Sequence, residues 1–149
     1  METHYENDAI VLKKTSQKKP RSLSENLIDS PDIAQTIAVT CLALGVPCTL
    51  KGLHTLKIKE TDRLAALKAE IEKFGGRVKI SDDSLELIPQ KDFKKNVSVA
   101  TYNDHRMAMA FAPLGLKVPF EIEDAMVVSK SYPDFWKDLK KLGFNIDGA

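Results

Sequence analysis

Two short segments carry most of the chemistry in this chain: Lys59-Glu60-Thr61-Asp62-Arg63 and Thr101-Tyr102-Asn103-Asp104-His105-Arg106. Each crowds several charges together and runs directly into an apolar helical pattern. A helix start presents unpaired N–H groups and the positive end of the dipole, so it favours anions. Lys and Arg at such a start complete a phosphate or carboxylate site, and a carboxylate such as Glu60 adds acid–base capacity. Two further helix openings are charged, at Pro31-Asp32 and at Lys130 ahead of Tyr132-Pro133-Asp134. Pooled, Asp32, Lys59, Glu60, Arg63, His105, Arg106 and Lys130 set four cations and a histidine against two carboxylates. That balance suits a small, multiply anionic substrate, with the two carboxylates on separate loops dividing base and acid roles. Taken singly, each has a plainer reading: Asp32 complements a helix dipole, Lys59 to Arg63 is a solvated helix start, Lys130 is a solvated lysine. Only the grouping argues for a site. Ser-His-Asp order, a nucleophile elbow, a Walker loop and the dinucleotide glycine pattern are all missing. His4, His54 and His105 lack metal-ligand spacing, so neither a metal nor a cofactor is expected.

The elements that must position these residues are legible from periodicity. Ala9 to Leu12 reads as a strand and Lys13 to Ser24 as a basic loop, with residues 1–24 partly flexible. Ser30-Pro31-Asp32 opens a helix carrying Ile33, Ile37, Cys41 and Leu44, ended by Gly45 and Pro47. Cys48 to Leu50 and Leu53 to Ile58 read as strands. Leu64, Leu67, Ile71 and Phe74 mark the next helix, closed by Gly75-Gly76. Arg77 to Ile80 and Ser84 to Ile88 alternate across Asp82-Asp83 as a hairpin. Val97 to Ala100 is a strand, Met107 to Leu114 a helix, and Phe120 to Ile122 and Met126 to Val128 are strand candidates. Phe135 to Leu142 is the last helix, and Phe144 to Ile146 closes the chain as a strand. The alternation is α/β (α+β) with a weak internal repeat, and in such assemblies the charged βα junctions gather on one face.

With 149 residues, 43% hydrophobic and 29% charged, the chain fits one soluble domain. A net charge of +1 gives no global field for nucleic acid or a membrane, and no apolar run is long enough to span a bilayer. With no signal-peptide pattern either, a cytoplasmic location is expected. Cys41 and Cys48 fall in apolar patterns and read as reduced core residues.

The motifs Lys59-Glu60-Thr61-Asp62-Arg63, Thr101 to Ala108 and Lys130-Ser131-Tyr132-Pro133-Asp134-Phe135 closely resemble those of the EPSP synthase family (3-phosphoshikimate 1-carboxyvinyltransferase). Ser30-Pro31-Asp32-Ile33-Ala34-Gln35-Thr36-Ile37-Ala38 matches the same family in order and spacing. The resemblance implies transfer of the enolpyruvyl group of phosphoenolpyruvate to the 5-hydroxyl of shikimate 3-phosphate, without a metal. It implies a catalytic set of Asp32, Glu60 and Lys130, with Asp32 on the shikimate hydroxyl as base. Lys59 and Glu60 would lie near the reacting centre. Arg63, Arg106 and Lys130 would grip phosphoenolpyruvate, with His105 beside them, and Lys130 would also serve in proton transfer. Thr55 stands where many relatives have Asn and would reach the shikimate moiety less far. It also implies repeated βαβαββ units with helices packed inside sheets. Members are much longer and have two domains, so residues 1–149 would form a partial C-terminal domain of about two units, and its partner would be a missing N-terminal portion. A related transferase acting on UDP-N-acetylglucosamine, and a non-catalytic anion- or RNA-binding module, are the competing readings. The shikimate-type forms of both charged motifs disfavour the first, and near-zero net charge disfavours RNA.

Overall fold

The computed structural model describes residues 1–15, 19–59 and 61–148. Strands β1 (Glu2–Glu6) and β2 (Ala9–Lys13) form an antiparallel hairpin turning through Asn7, whose φ is 41°. Strand β3 (Leu23–Asn26) leads through a 3₁₀ turn (Pro31–Ile33) into helix α1 (Ala34–Leu44). Gly45 ends α1 in the left-handed region and returns its N–H to the Cys41 and Leu42 carbonyls. Strand β4 (Cys48–Lys51), a 3₁₀ segment (His54–Ile58) and helix α2 (Arg63–Lys73) follow. Strands β5 (Arg77–Ile80) and β6 (Leu85–Ile88) form the second hairpin. Then come β7 (Ser98–Val99), α3 (His105–Phe111) with a 3₁₀ continuation (Ala112–Leu116), and β8 (Glu121–Ile122). A 3₁₀ segment (Ala125–Lys130) and helix α4 (Phe135–Lys141) complete the described elements.

From β3 to β6 the order is βαβαββ, and from β7 to α4 it is βαβα. The first unit builds a four-stranded sheet in the order β3-β4-β6-β5, with β3 and β4 parallel and the other neighbours antiparallel. In the second unit β7 and β8 pair in parallel, repeating the β3–β4 arrangement. Alternation sets the faces: Val78, Leu85 and Leu87 point into the core, whereas Arg77, Lys79 and Glu86 point outward. Helices α1 and α2 cover that apolar face with Leu42, Leu64, Leu67 and Ile71, all essentially buried. Phe74 at the end of α2 joins the two units. Its ring stacks on Phe111 at 5.9 Å and meets Phe120 edge-on at 5.3 Å. Cys41 and Cys48 are buried free thiols, as expected.

The fold departs from several sequence expectations. Leu53 to Ile58 is 3₁₀ helix rather than strand: Leu53 and Leu56, one 3₁₀ turn apart, are fully buried, and Ile58 faces solvent. Met126 to Val128 is likewise 3₁₀, with Val128 buried, Met126 exposed and the Ala125 carbonyl accepting from the Trp136 indole N–H at 2.8 Å. Short apolar alternation fits either period, and packing decided for the tighter one. Phe144 to Ile146 forms no strand. The segment read as a basic loop already contains the start of β3, and β1 was not expected, because both strands are polar in sequence. Ser30, expected to cap α1, makes no side-chain capping bond.

Gly52 brings the two site-bearing segments together. It lies between β4 and the 3₁₀ segment ahead of Lys59, with φ +74°, and a Cβ there would sit 2.6 Å from the Ile28 amide nitrogen on the approach to Asp32. Gly52→Ala should therefore destabilise the chain by about 1–3 kcal/mol, measured by urea unfolding; an unchanged midpoint would show that the two segments need no close approach.

Candidate functional site

Helices α2 and α3 begin with the same device. The Asp62 carboxylate caps α2 by accepting from the Ala65 N–H at 3.0 Å, and Asp104 caps α3 by accepting from the Arg106 N–H at 2.9 Å. Arg63, the first residue of α2, is 1% exposed and reaches across to the base of α3. Its Nε donates to Asp104 Oδ2 at 2.6 Å, and Asp104 is fully buried. A second guanidinium nitrogen, Nη1, donates to Asp32 Oδ1 at 2.8 Å. Gln35 on α1 donates to Asp104 Oδ2 at 3.3 Å. Three helix starts are thus tied together by one buried arginine and two carboxylates.

Asp32 is the open side of this knot. Its side chain is 36% exposed and is approached by the Arg106 Nη2 at 3.4 Å and the Lys59 Nζ at 3.5 Å, besides Arg63. Partial burial pushes its carboxyl up, but the charges of Arg106, Lys59 and Arg63 together outweigh that and hold it below the ordinary value. Asp32 is therefore ionised at neutral pH. Its contribution to stability is present above the unfolded carboxylate range and lost as acid takes the pH down through the lowered folded value.

A third buried charge fixes the loop that delivers Asp104. Glu70, fully buried on α2, accepts from the Tyr102 hydroxyl at 2.8 Å and the Ala100 N–H at 3.2 Å, and pairs with Lys73 at 2.6 Å. Tyr102 and Asn103 both hold positive φ, near 55°, in a turn closed by the Asp104 N–H on the Thr101 carbonyl at 2.9 Å. A tyrosine rarely adopts that backbone unaided, and the Glu70 bond compensates its strain. Burial first, then the hydrogen bond and charge of Glu70, push the Tyr102 phenol up to about 12.

Of the residues expected from sequence, Asp32, Lys59, Arg63 and Arg106 meet in one cluster. His105 is half-buried at its rim, with Nδ1 3.9 Å from Asp104 Oδ1, too long for a hydrogen bond. The Thr55 hydroxyl is buried and has no partner among the described residues. Lys130 is exposed at the end of its 3₁₀ segment, and no bond among the described residues joins it to Asp32. Glu60 lies outside the described residues. Asp104, Gln35 and Glu70 were not singled out from sequence. For Asp104 the signal was its place directly before a helix; for Gln35 and Glu70 it was a polar residue on an otherwise apolar helix face.

Three cations thus converge on one carboxylate that stays open to solvent. The family model for EPSP synthase (3-phosphoshikimate 1-carboxyvinyltransferase) matches residues 1–139. The chain belongs to the EPSP synthase family. It is 46% identical over 147 residues to a 3-phosphoshikimate 1-carboxyvinyltransferase of Bacteroides fragilis strain YCH46, covering 97% of this chain and 36% of that protein. It is 40% identical over 119 residues to one from Paraburkholderia phymatum, covering 79% and 27%. An EPSP synthase structure from Acinetobacter baumannii shares its fold with a TM-score of 0.67 at 21% identity, over 77% of this chain and 27% of that one. The chain thus spans about a third of the length of the curated relatives it matches. No helix among the described residues is long and apolar enough to cross a membrane.

Two outcomes follow from the buried charges. Asp104→Ala should cost about 3–5 kcal/mol by leaving Arg63 buried beside one partner fewer; a loss within the range of a surface substitution in urea unfolding would show the pair to be dispensable. In an alkaline absorbance titration one tyrosine should ionise near pH 12 and disappear in Tyr102→Phe. The stability this group contributes is complete below about pH 10, the unfolded value, and is lost as the pH rises towards its folded value.

Proposed function

We propose that this chain forms one wall of the active site of an enzyme that transfers the enolpyruvyl group of phosphoenolpyruvate to the 5-hydroxyl of shikimate 3-phosphate, a step of aromatic amino-acid biosynthesis. The observation that carries the reading is the convergence of Lys59, Arg63 and Arg106 on the half-exposed carboxylate of Asp32. In this reading residues 1–149 are a partial C-terminal domain of a cytoplasmic enzyme. The opposing wall comes from the missing N-terminal portion.

The reaction joins the hydroxyl oxygen to C2 of phosphoenolpyruvate while its methylene carbon gains a proton. The tetrahedral intermediate then loses phosphate and the carbon proton, leaving the enolpyruvyl ether. Arg106 and Lys59, about 39% and 35% exposed, are free to turn from Asp32 to the phosphate and carboxylate of the donor. Arg63 is fully enclosed, so it positions Asp32 rather than gripping substrate. Asp32 as it stands is a weak base because three cations stabilise its anion. An arriving anion draws Arg106 and Lys59 away and adds negative charge, which raises the Asp32 pKa at the moment a hydroxyl must be deprotonated. Glu60 is the second carboxylate, suited to proton transfer at carbon. Lys130 completes the donor grip if its segment closes over the site, and Thr55 and His105 border the acceptor.

The chain alone should release little or no phosphate from the two substrates. Mixing it with the N-terminal portion of the Bacteroides fragilis relative should restore turnover. In that mixture Arg106→Ala should mainly raise KM for phosphoenolpyruvate, and Glu60→Gln should lower kcat by about 10²–10⁴-fold with smaller effect on KM. Robust turnover by the isolated chain would overturn the reading of it as one wall. Unchanged kinetics in both variants would overturn the site assignment.

A further inference from the structure

Helix α2 holds the segment ahead of α3 at three points spaced two residues apart. Lys73 donates to the Ser98 carbonyl at 2.9 Å. Glu70 accepts from the Ala100 N–H at 3.2 Å and from the Tyr102 hydroxyl at 2.8 Å. The two side chains lie three residues apart on α2 and pair at 2.6 Å, so the three grips form one connected unit. Two residues beyond the last grip stands Asp104. Its Oδ1 accepts from the Arg106 N–H at 2.9 Å and its Oδ2 from Arg63 Nε at 2.6 Å.

The residue at the last grip is out of character for its backbone. Among the described residues, positive φ outside glycine occurs at Asn7, Asn96, Tyr102, Asn103 and Asp124, and Tyr102 alone of these is neither Asn nor Asp. Short amide and carboxylate side chains tolerate the left-handed region, whereas a tyrosine with φ 55° is strained. Strain of this kind persists only where the surroundings over-determine it. The fully buried Glu70 is that constraint. A Tyr102 relaxed to negative φ would swing its phenol away from Glu70 and carry Asp104 with it.

We propose that Glu70 and Tyr102 are positioning residues for the Asp32 cluster. The buried carboxylate, through the phenol, keeps the turn left-handed, and the turn sets where Asp104 holds Arg63 and Arg106. The consequence for phosphoenolpyruvate binding rests on the proposed reaction; the placement of the cluster does not. The role differs from that of an ordinary contact because glycine needs no help at a positive φ. Tyr102→Phe removes the bond and keeps the strain, whereas Tyr102→Gly removes both. A phenol that served only packing and hydrogen bonding would make glycine the worse variant. A phenol that holds a strained turn makes phenylalanine the worse one.

The Asp32 carboxyl reads the cluster in the 149-residue chain without any ligand. Partial burial raises it and the charges of Arg106, Lys59 and Arg63 lower it, with a net lowering, so its titration reports how near these cations stand. Followed by carbon NMR and assigned with Asp32→Asn, its midpoint should rise towards the ordinary carboxylate range in Tyr102→Phe and Glu70→Ala. It should stay closer to wild type in Tyr102→Gly. Glu70→Gln, whose amide can bond both the Ala100 N–H and the phenol, should also stay closer to wild type. Tyr102→Asn, also at ease with this backbone, should match glycine, which covers a glycine variant that frays. In the mixture with the N-terminal portion of the Bacteroides fragilis relative, Tyr102→Phe should raise KM for phosphoenolpyruvate by up to about 10²-fold, more than Tyr102→Gly does, with a smaller change in kcat. An Asp32 midpoint unmoved in Tyr102→Phe, or moved at least as far in Tyr102→Gly, would overturn the proposal. So would a KM raised no more by phenylalanine than by glycine. A wild-type mixture without turnover overturns the enzymatic reading alone, and the titration still decides this one.

Discussion

The contact on which the rest depends is that between Arg63 and Asp104. Both side chains are removed from water, at a cost of several kcal/mol per ion if left alone. The charge is compensated because the guanidinium donates to Asp104 and Asp32 at once, and Asp104 also accepts from Gln35 and from the Arg106 N–H. Any of these partners moving away leaves a buried charge short of bonds. The starts of α1, α2 and α3 are therefore held in one arrangement, which fixes where the exposed groups Asp32, Lys59 and Arg106 stand. The geometry of the exposed cluster is thus set by an ion pair beneath it.

The loop from Ala100 to Asp104 shows how strain is used for the same end. Tyr102 and Asn103 take left-handed backbone angles, and the energy for this comes from the buried Glu70, which holds the Tyr102 hydroxyl and the Ala100 amide. The tight turn delivers Asp104 at both the cap of α3 and the guanidinium of Arg63. Glu70 touches none of the residues that would meet substrate, yet the position of the cluster depends on it.

The repeated unit explains the order of the elements. In β3-α1-β4-α2-β5-β6 a hairpin pairs with the parallel strands, and β7-α3-β8-α4 repeats the parallel pair and the helices. Phe74, in contact with Phe111 and Phe120, makes the two units one hydrophobic body, which holds the charged cluster at their junction in place.

Helices α2, α3 and α4 and the hairpin β5–β6 were legible in the residues, because long apolar periods and glycine stops are local signals. The strands β1 and β3 were not: their residues are polar, and pairing with a neighbour, not composition, makes them strands. Leu53 to Ile58 and Met126 to Val128 carry patterns that fit two periods, and only the packing of Leu56 and Val128 chose between them. The charged motifs carried the family resemblance and contained Asp32, Lys59, Arg63 and Arg106, which the fold brings into one cluster. Their division of labour is a tertiary matter. Arg63 and Arg106 look alike in sequence, but one is enclosed between carboxylates and the other stands half in solvent. Burial decides which charge supports and which can meet a ligand, and burial depends on residues distant along the chain.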